Sequence, residues 1–277
     1  VPFKNRLISS LAAAAASMGF AALSTSAMAD QLADIKAKGS LVCGVLGTSK
    51  PFSFPNPQTR EIQGYDVDFC SAVAKSLGVK LEIKPISVAA RIPELTQKRI
   101  DVIAANLGWT AERAQQIAYS DAYYVALQKV AVKRGAFARS TDLAGKRVSA
   151  TKGSTSEIAI RAFLPTATPV TFQDPPPAFL ALQQGKVDGF VVTEMVLVQL
   201  KAQSEADHPI DILEPPLAEE FWGIGMRKEE TALSGHVNKT LRQMEASGEA
   251  ARIFDKWMGA GTDFKMKRGF VVKPVQG

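Results

Sequence analysis

The chain has 277 residues, a formal net charge of +6, 46% hydrophobic and 22% charged residues, two cysteines and two histidines. That balance fits a folded chain with a sizeable core and excludes disordered, collagen-like and cysteine-stapled classes. Basic residues are spread along the chain, with one C-terminal group (Lys265, Lys267, Arg268, Lys273) that reads as a solvated tail rather than a nucleic-acid footprint. His208 and His236 lie far apart with no Cys or His at ligand spacing, so neither a metal nor a cofactor is expected.

Lys4 and Arg6 precede an apolar, alanine-rich run from Leu7 to Leu23, and Ala27-Met28-Ala29 then fits the small-x-small cleavage rule. Residues 1–29 are therefore expected to be an export signal removed before Asp30, with a single N-terminal anchor as the competing reading. No cysteine follows the cleavage site, which argues against a lipid anchor there. Removing this segment leaves 248 residues and a charge of +4, enough for two lobes that each bury a core. No later stretch approaches the roughly 20 apolar residues of a membrane span.

Leu41 to Val45 reads as a buried strand, followed by a loop rich in Pro, Ser and Asn from Ser49 to Gln63. Cys70, Val73, Ala74 and Leu77 recur at helical spacing, with Asp66 as the expected N-cap and Gly78 as the stop. A strand over Lys80–Pro85, a helix over Ile92–Lys98 and a strand over Asp101–Ala105 follow, and Thr110 then caps a helix running through Ile117. The second half repeats this alternation. Strands are expected at Val130–Lys133, Val148–Ala150, around Thr171, at Asp188–Val192, Ile210–Leu213 and Trp222–Met226. Helices are expected from Ser154, over Pro177–Gln184, Met195–Ala202, Thr231–Ser247 and Glu249–Met258. Alternation of this kind predicts mostly parallel sheets covered on both faces, and two such series predict two α/β lobes. With no long linker, the crossings are placed near Val125–Gln128 and Glu220–Gly223. Lobe 1 is then 30–126 with 222–277, and lobe 2 is 127–221. Cys43 and Cys70 both sit in apolar runs. A disulfide is possible in an exported chain, but two buried thiols are the expectation.

The strip Asn106-Leu107-Gly108-Trp109-Thr110-x-x-Arg113 carries the chemistry. It lies between a strand end and a helix start, where open α/β sheets bind ligands. Gly108 lets a ligand approach the backbone, the new helix offers free N–H groups, and Arg113 adds a planar fork for a carboxylate. The competing reading pairs Arg113 with Glu112 or Asp121 at the surface. Ser154-Thr155-Ser156-Glu157 begins another helix and can form a capping box.

The stretch Gly64-Tyr65-Asp66-Val67-Asp68-Phe69 resembles the signature of the amino-acid-type (family 3) solute-binding proteins. Similar pieces follow in the family's order: Arg91-Ile92-Pro93-x-Leu95, the Asn106–Arg113 strip, Tyr119-Ser120-Asp121, Gly153-Ser154-Thr155, Gly185-Lys186-Val187-Asp188 and Trp222-Gly223-Ile224-Gly225-Met226-Arg227-Lys228. Together they span residues 40–258.

The resemblance implies a two-lobed periplasmic-binding-protein (type II, Venus-flytrap) fold, each lobe a mostly parallel sheet with flanking helices. It implies a periplasmic, monomeric component of an ABC importer that binds a small carboxylate-bearing solute, with an amino acid as the expected class. The lobes would close over the solute by a hinge, and an inner-membrane permease would read the closed form. Arg113 would hold the solute's carboxylate, with Thr155 and Ser156 facing it. The family's ammonium-binding Asp is replaced by Thr193, followed by Glu194; either Glu194 turns into the cleft or the nitrogen is absent or held otherwise. The aromatic sandwich of many relatives is missing, since Ser49 and Val88 stand at those positions, and Trp109 either supplies a ring or covers a core edge. Arg91 either enters the pocket, as in acidic-amino-acid members, or pairs with Glu94. A rival on the same fold is a cyclohexadienyl or arogenate dehydratase using Glu194 as general acid, but the expectation is a binding protein, not an enzyme.

Overall fold

The computed structural model describes residues 30–275, so the expected export signal at 1–29 lies outside the described residues. Asp30 caps the first helix, α1 (Gln31–Lys38), by accepting the Leu32 N–H. There follow β1 (Ser40–Val45), β2 (Phe54–Pro55), β3 (Ile62–Gln63), α2 (Tyr65–Leu77), β4 (Lys80–Pro85), α3 (Arg91–Thr96), β5 (Val102–Ile103) and α4 (Ala111–Gln116). The 17-residue β6 (Ile117–Lys133) leads into β7 (Arg147–Thr151), α5 (Thr155–Phe163), β8 (Thr168–Phe172), α6 (Pro175–Gln183), β9 (Gly189–Thr193), α7 (Glu194–Ser204) and β10 (Ile210–Ile212). The chain then returns through β11 (Ala218–Arg227) to α8 (Thr231–Ala246) and α9 (Glu249–Met258).

Among the described residues the main sheet runs β4-β1-β5-β11-β6-β9-β7-β8, with β10 also on β6. β1 lies parallel between β4 and β5, and β7 lies parallel between β8 and β9. These are the two parallel half-sheets of a two-lobed α/β fold. β6 and β11 join them as an antiparallel pair, in register from Ala218↔Gln128 to Arg227↔Ile117 with shifts around Gly223. Beyond Gln128, β6 pairs with β9 and β10. Each half-sheet has apolar layers on two faces. Phe69, Tyr123, Trp222 and Phe254 anchor one layer of the first half, and Leu95, Ile103 and Ile117 the other. Phe179 and Phe190 anchor one layer of the second half, and Val148, Ile160 and Leu213 the other.

Three details differ from the expectations. Asp66 is not an N-cap. Gly64 starts α2, and Asp66 is wholly buried in its first turn, accepting the Tyr123 hydroxyl at 2.7 Å and the Asn106 N–H at 3.3 Å. Burial pushes its pKa up to about 7, partly offset by those two hydrogen bonds and by Arg91. Cys43 of β1 and Cys70 of α2 are not two free thiols but a disulfide. The helix packs on the strand with Cα atoms 6.3 Å apart, within bridging distance.

The basic C-terminal stretch is a solvated tail only in part: Lys265 and Lys267 are exposed, but the segment between and beyond them packs on the fold. Arg268 forms a two-pronged pair with Glu245 at 2.9 and 2.6 Å, and Phe270 packs on Tyr124 and Phe254. The Lys273 carbonyl accepts Ala122 N–H of β6, and the Lys273 ammonium lies over Phe221 of β11. Among the described residues no helix is long and apolar enough to cross a membrane.

Candidate functional site

The strip after β5 is shaped by its main chain. Asn106 has φ 50°, a left-handed conformation that Asn tolerates better than most residues. Its N–H is held by Asp66 and its side-chain amide donates to Ser49 Oγ at 3.1 Å. Gly108 bridges to Trp222, and Trp109 N–H donates to the Phe221 carbonyl at 2.9 Å, which fixes the strip against β11. Thr110 caps α4 by accepting Arg113 N–H at 3.2 Å. A Cβ on Gly108 would lie 2.4 Å from Glu220 Oε2 and 3.0 Å from Thr155 Cγ2, so a side chain here would have to displace the Glu220 carboxylate.

Arg113 is 7% exposed and folds back over the strip. Its Nη1 donates to the Gly108 carbonyl at 2.7 Å and its Nη2 to the Gly153 carbonyl at 2.9 Å. It pairs with neither Glu112 nor Asp121, since Asp121 is taken by Arg242 at 2.7 Å. Arg91, 3% exposed, donates to the carbonyls of Val88, Ala105 and Asn106, and its Nη2 reaches Gly153 O at 3.3 Å. Arg91 does not pair with Glu94, which is held by Lys84 and Arg99. Burial, and then the neighbouring Arg113 charge, pushes the Arg91 pKa down to about 9, which leaves it charged at neutral pH. Two buried guanidiniums thus converge on one carbonyl oxygen across the cleft.

That carbonyl precedes α5. Ser154 caps the helix by accepting Glu157 N–H at 3.2 Å, while the Glu157 carboxylate accepts Gly153 N–H at 2.9 Å, one residue earlier than a capping box requires. Thr155 and Ser156 open the helix, where N–H groups have no intrahelical acceptor. Ser156 Oγ donates to Gln128 Oε1 at 2.8 Å, and Gln128 Nε2 donates to Glu220 Oε1 at 2.7 Å. A narrow cavity between the two sides is lined by Arg91, Asn106, Thr155, Ser156, Thr193 and Trp222. Helix start and guanidiniums together supply positive potential and N–H donors suited to an anion.

The structure brings Arg91, Asn106, Gly108, Arg113, Thr155, Ser156 and Thr193 around this seam. Thr110 takes part only as the cap of α4. Trp109 does not line the cavity; its main chain is tied to β11, and Trp222 supplies the indole there. Glu194 does not turn into the cavity. It begins α7, lines a different pocket beside Tyr124 and Arg268, and pairs with Lys129 at 2.6 Å. Gln128 and Glu220 were not anticipated. Each is a polar residue at an inward position of a crossing strand, 1% and 7% exposed. Glu220 and Trp222 share the buried face of β11 ahead of its register shifts at Gly223, a placement the sequence alone does not show.

The family model for bacterial extracellular solute-binding proteins, family 3, matches residues 41–260. The ABC transporter glutamine-binding protein GlnH of Bacillus subtilis is 32% identical over 83% of this chain and 85% of its own length. An ancestral arginine-binding protein bound to arginine superposes with a TM-score of 0.75 at 34% identity, covering 80% of this chain and 99% of that one. The ancestral amino acid-binding protein AncCDT-1, described as a precursor of cyclohexadienyl dehydratase, gives a TM-score of 0.74 at 30% identity, over 83% and 100%. With the two half-sheets, the seam between them and a match over most of its length, the chain belongs to the family 3 bacterial extracellular solute-binding proteins.

Proposed function

We propose that this protein is the periplasmic solute receptor of an ABC importer and that it captures an amino acid between its lobes without chemical turnover. The observation that carries the reading is the convergence of Arg91 and Arg113 on Gly153 O, opposite the open end of α5. A carboxylate entering there exchanges one neutral acceptor for a charged one and gains charge-assisted hydrogen bonds. Relatives named for glutamine, cystine, arginine and glutamate or aspartate support the amino-acid class.

In this reading the lobes are 30–126 with 222–277, and 127–221, and they bend about β6 and β11. The solute contacts both lobes only when they are closed, so it shifts the population toward closure. The closed monomer is what the permease reads. Cleavage after Ala29 would leave Asp30 first, as the residue that caps α1. The enzyme reading needs an acid in the cavity at Glu194, and Glu194 is engaged by Lys129 elsewhere.

The test is a thermal-shift panel of the twenty L-amino acids, dicarboxylates and sugars on the mature protein, followed by calorimetry. At least one amino acid is expected to raise the melting temperature. A rise with sugars alone would overturn the reading.

A further inference from the structure

Residues 261–275 lie beyond the stretch that the family model matches, which ends at residue 260. This segment is fixed to the first half of the molecule. Met266 N–H donates to the Met258 carbonyl at 2.8 Å, and Val272 N–H donates to Glu245 Oε2 at 2.8 Å, beside the Arg268–Glu245 pair. Phe270 packs edge-on against Phe254 of α9.

The same segment also meets the second half, through α7. That helix is apolar from Met195 to Val198 and again at Leu200, more than the single stripe a surface helix needs. Val196, Leu197 and Leu200 pack into the layer of their own half with Phe179 and Phe190. Met195, fully buried, and Val198, half-buried, belong instead to the layer of the first half, together with Phe264 and Met266. Three residues apart, they share one face of α7. Two crevices run along this contact, one lined by Val198 and Phe264 and the other by Met195 and Met266. None of these four side chains lines the solute cavity.

We propose that residues 261–275 are a latch that holds α7, and with it the second lobe, in the closed arrangement. The inference rests on the hinge-bending reading above and adds the contact that biases it. The lobes touch in this structure, since the Arg113–Gly153 bond crosses the cleft. Separating them carries α7 away with its lobe, while the segment stays with Glu245 and Met258. The face of Met195 and Val198 then leaves Phe264 and Met266, and both sides meet water at a cost that grows with the apolar area exposed. Closure is thereby favoured before any solute arrives. Apparent affinity rises with it, because affinity scales with the fraction of molecules already competent to bind.

The experiment compares wild type with Val198→Ala, Phe264→Ala, the double variant and Ile253→Ala, all in the mature full-length protein. Ile253 of α9 belongs to the same apolar layer but lines neither crevice, so Ile253→Ala controls for general loss of stability. The titrant is the L-amino acid that wild type binds tightest among the twenty. Each latch variant is expected to weaken its calorimetric Kd by roughly fivefold. The double variant should fall short of the product of the two, because both remove one contact, and Ile253→Ala should stay within about twofold. Unchanged or tighter binding by the latch variants overturns the proposal. Equal weakening by Ile253→Ala reduces the contact to general stability and also overturns it. If wild type binds no amino acid, the ligand reading falls on its own and small-angle scattering of the unliganded proteins decides the latch. A larger radius of gyration for the double variant then sustains it, and a radius equal to that of wild type overturns it.

Discussion

Arg113 Nη2 and the Gly153 carbonyl oxygen meet at 2.9 Å across the cleft, so the clamp is fastened to its own main chain. In the proposed reading an incoming carboxylate competes with a neutral dipole, and the guanidinium gains by the exchange. Arg113→Ala should weaken binding of the stabilising amino acid by roughly 100-fold, as expected for truncating one partner of a buried charged pair. Arg113→Lys should recover little of this, because an ammonium cannot span Gly108 O and Gly153 O as a planar fork does. Calorimetric Kd values for the two variants check both statements.

Stability should fall as pH rises through neutrality. The folded-state pKa of Asp66, about 7, stands above its ordinary 3.8, so the folded protein holds a proton that the unfolded chain releases. Its contribution is complete below about pH 4 and is lost as pH rises through 7, by up to about 4 kcal/mol. Asp66→Asn should flatten this slope and be relatively more stable at pH 8. Urea denaturation between pH 4 and 8 measures it, and a wild-type profile that is flat across this range counts against the assignment.

Reducing agent should lower the melting temperature. The bridge between Cys43 and Cys70 closes a 27-residue separation, for which the chain-entropy model gives about 3.5 kcal/mol. The Cys43→Ala/Cys70→Ala variant should melt lower than wild type and no longer respond to reductant. Differential scanning calorimetry with and without a phosphine reductant separates the two.

Glu194→Gln should leave amino-acid affinity within about twofold, since the side chain faces Lys129 and not the cavity. It should cost on the order of 1 kcal/mol of stability by weakening a partly buried pair. A large loss of affinity without loss of stability would return Glu194 to the cleft.

Local pattern carried much of the fold. The helix over Glu249–Met258 ends where the structure ends it, because Ala250, Ile253, Phe254 and Met258 share one buried face. The strand β6 was legible only at Val130–Lys133. Its polar residues look like breaks in sequence and are answered only by distant partners: Asp121 by Arg242, Gln128 by Ser156 and Glu220, and Lys129 by Glu194. The strand expected over Asp101–Ala105 shrinks to Val102–Ile103, because Asn106 already turns left-handed and Asp101 bonds Val42 N–H and Lys38. In the site, Arg113 and the start of α5 could be read from spacing. Glu220 could not, since Glu219-Glu220 reads as surface charge until the pleat of β11 separates the two.

The C-terminal segment lies like a splint over the joint. It is bonded to β6 at Ala122, packed edge-on against Tyr124 of β6 through Phe270, and laid over Phe221 of β11 through the Lys273 ammonium. Whatever bending those two strands undergo must be accommodated by Phe270 and Lys273, which touch no part of the cavity. How readily the jaws move is therefore written partly outside the jaws, in residues that never meet the cargo.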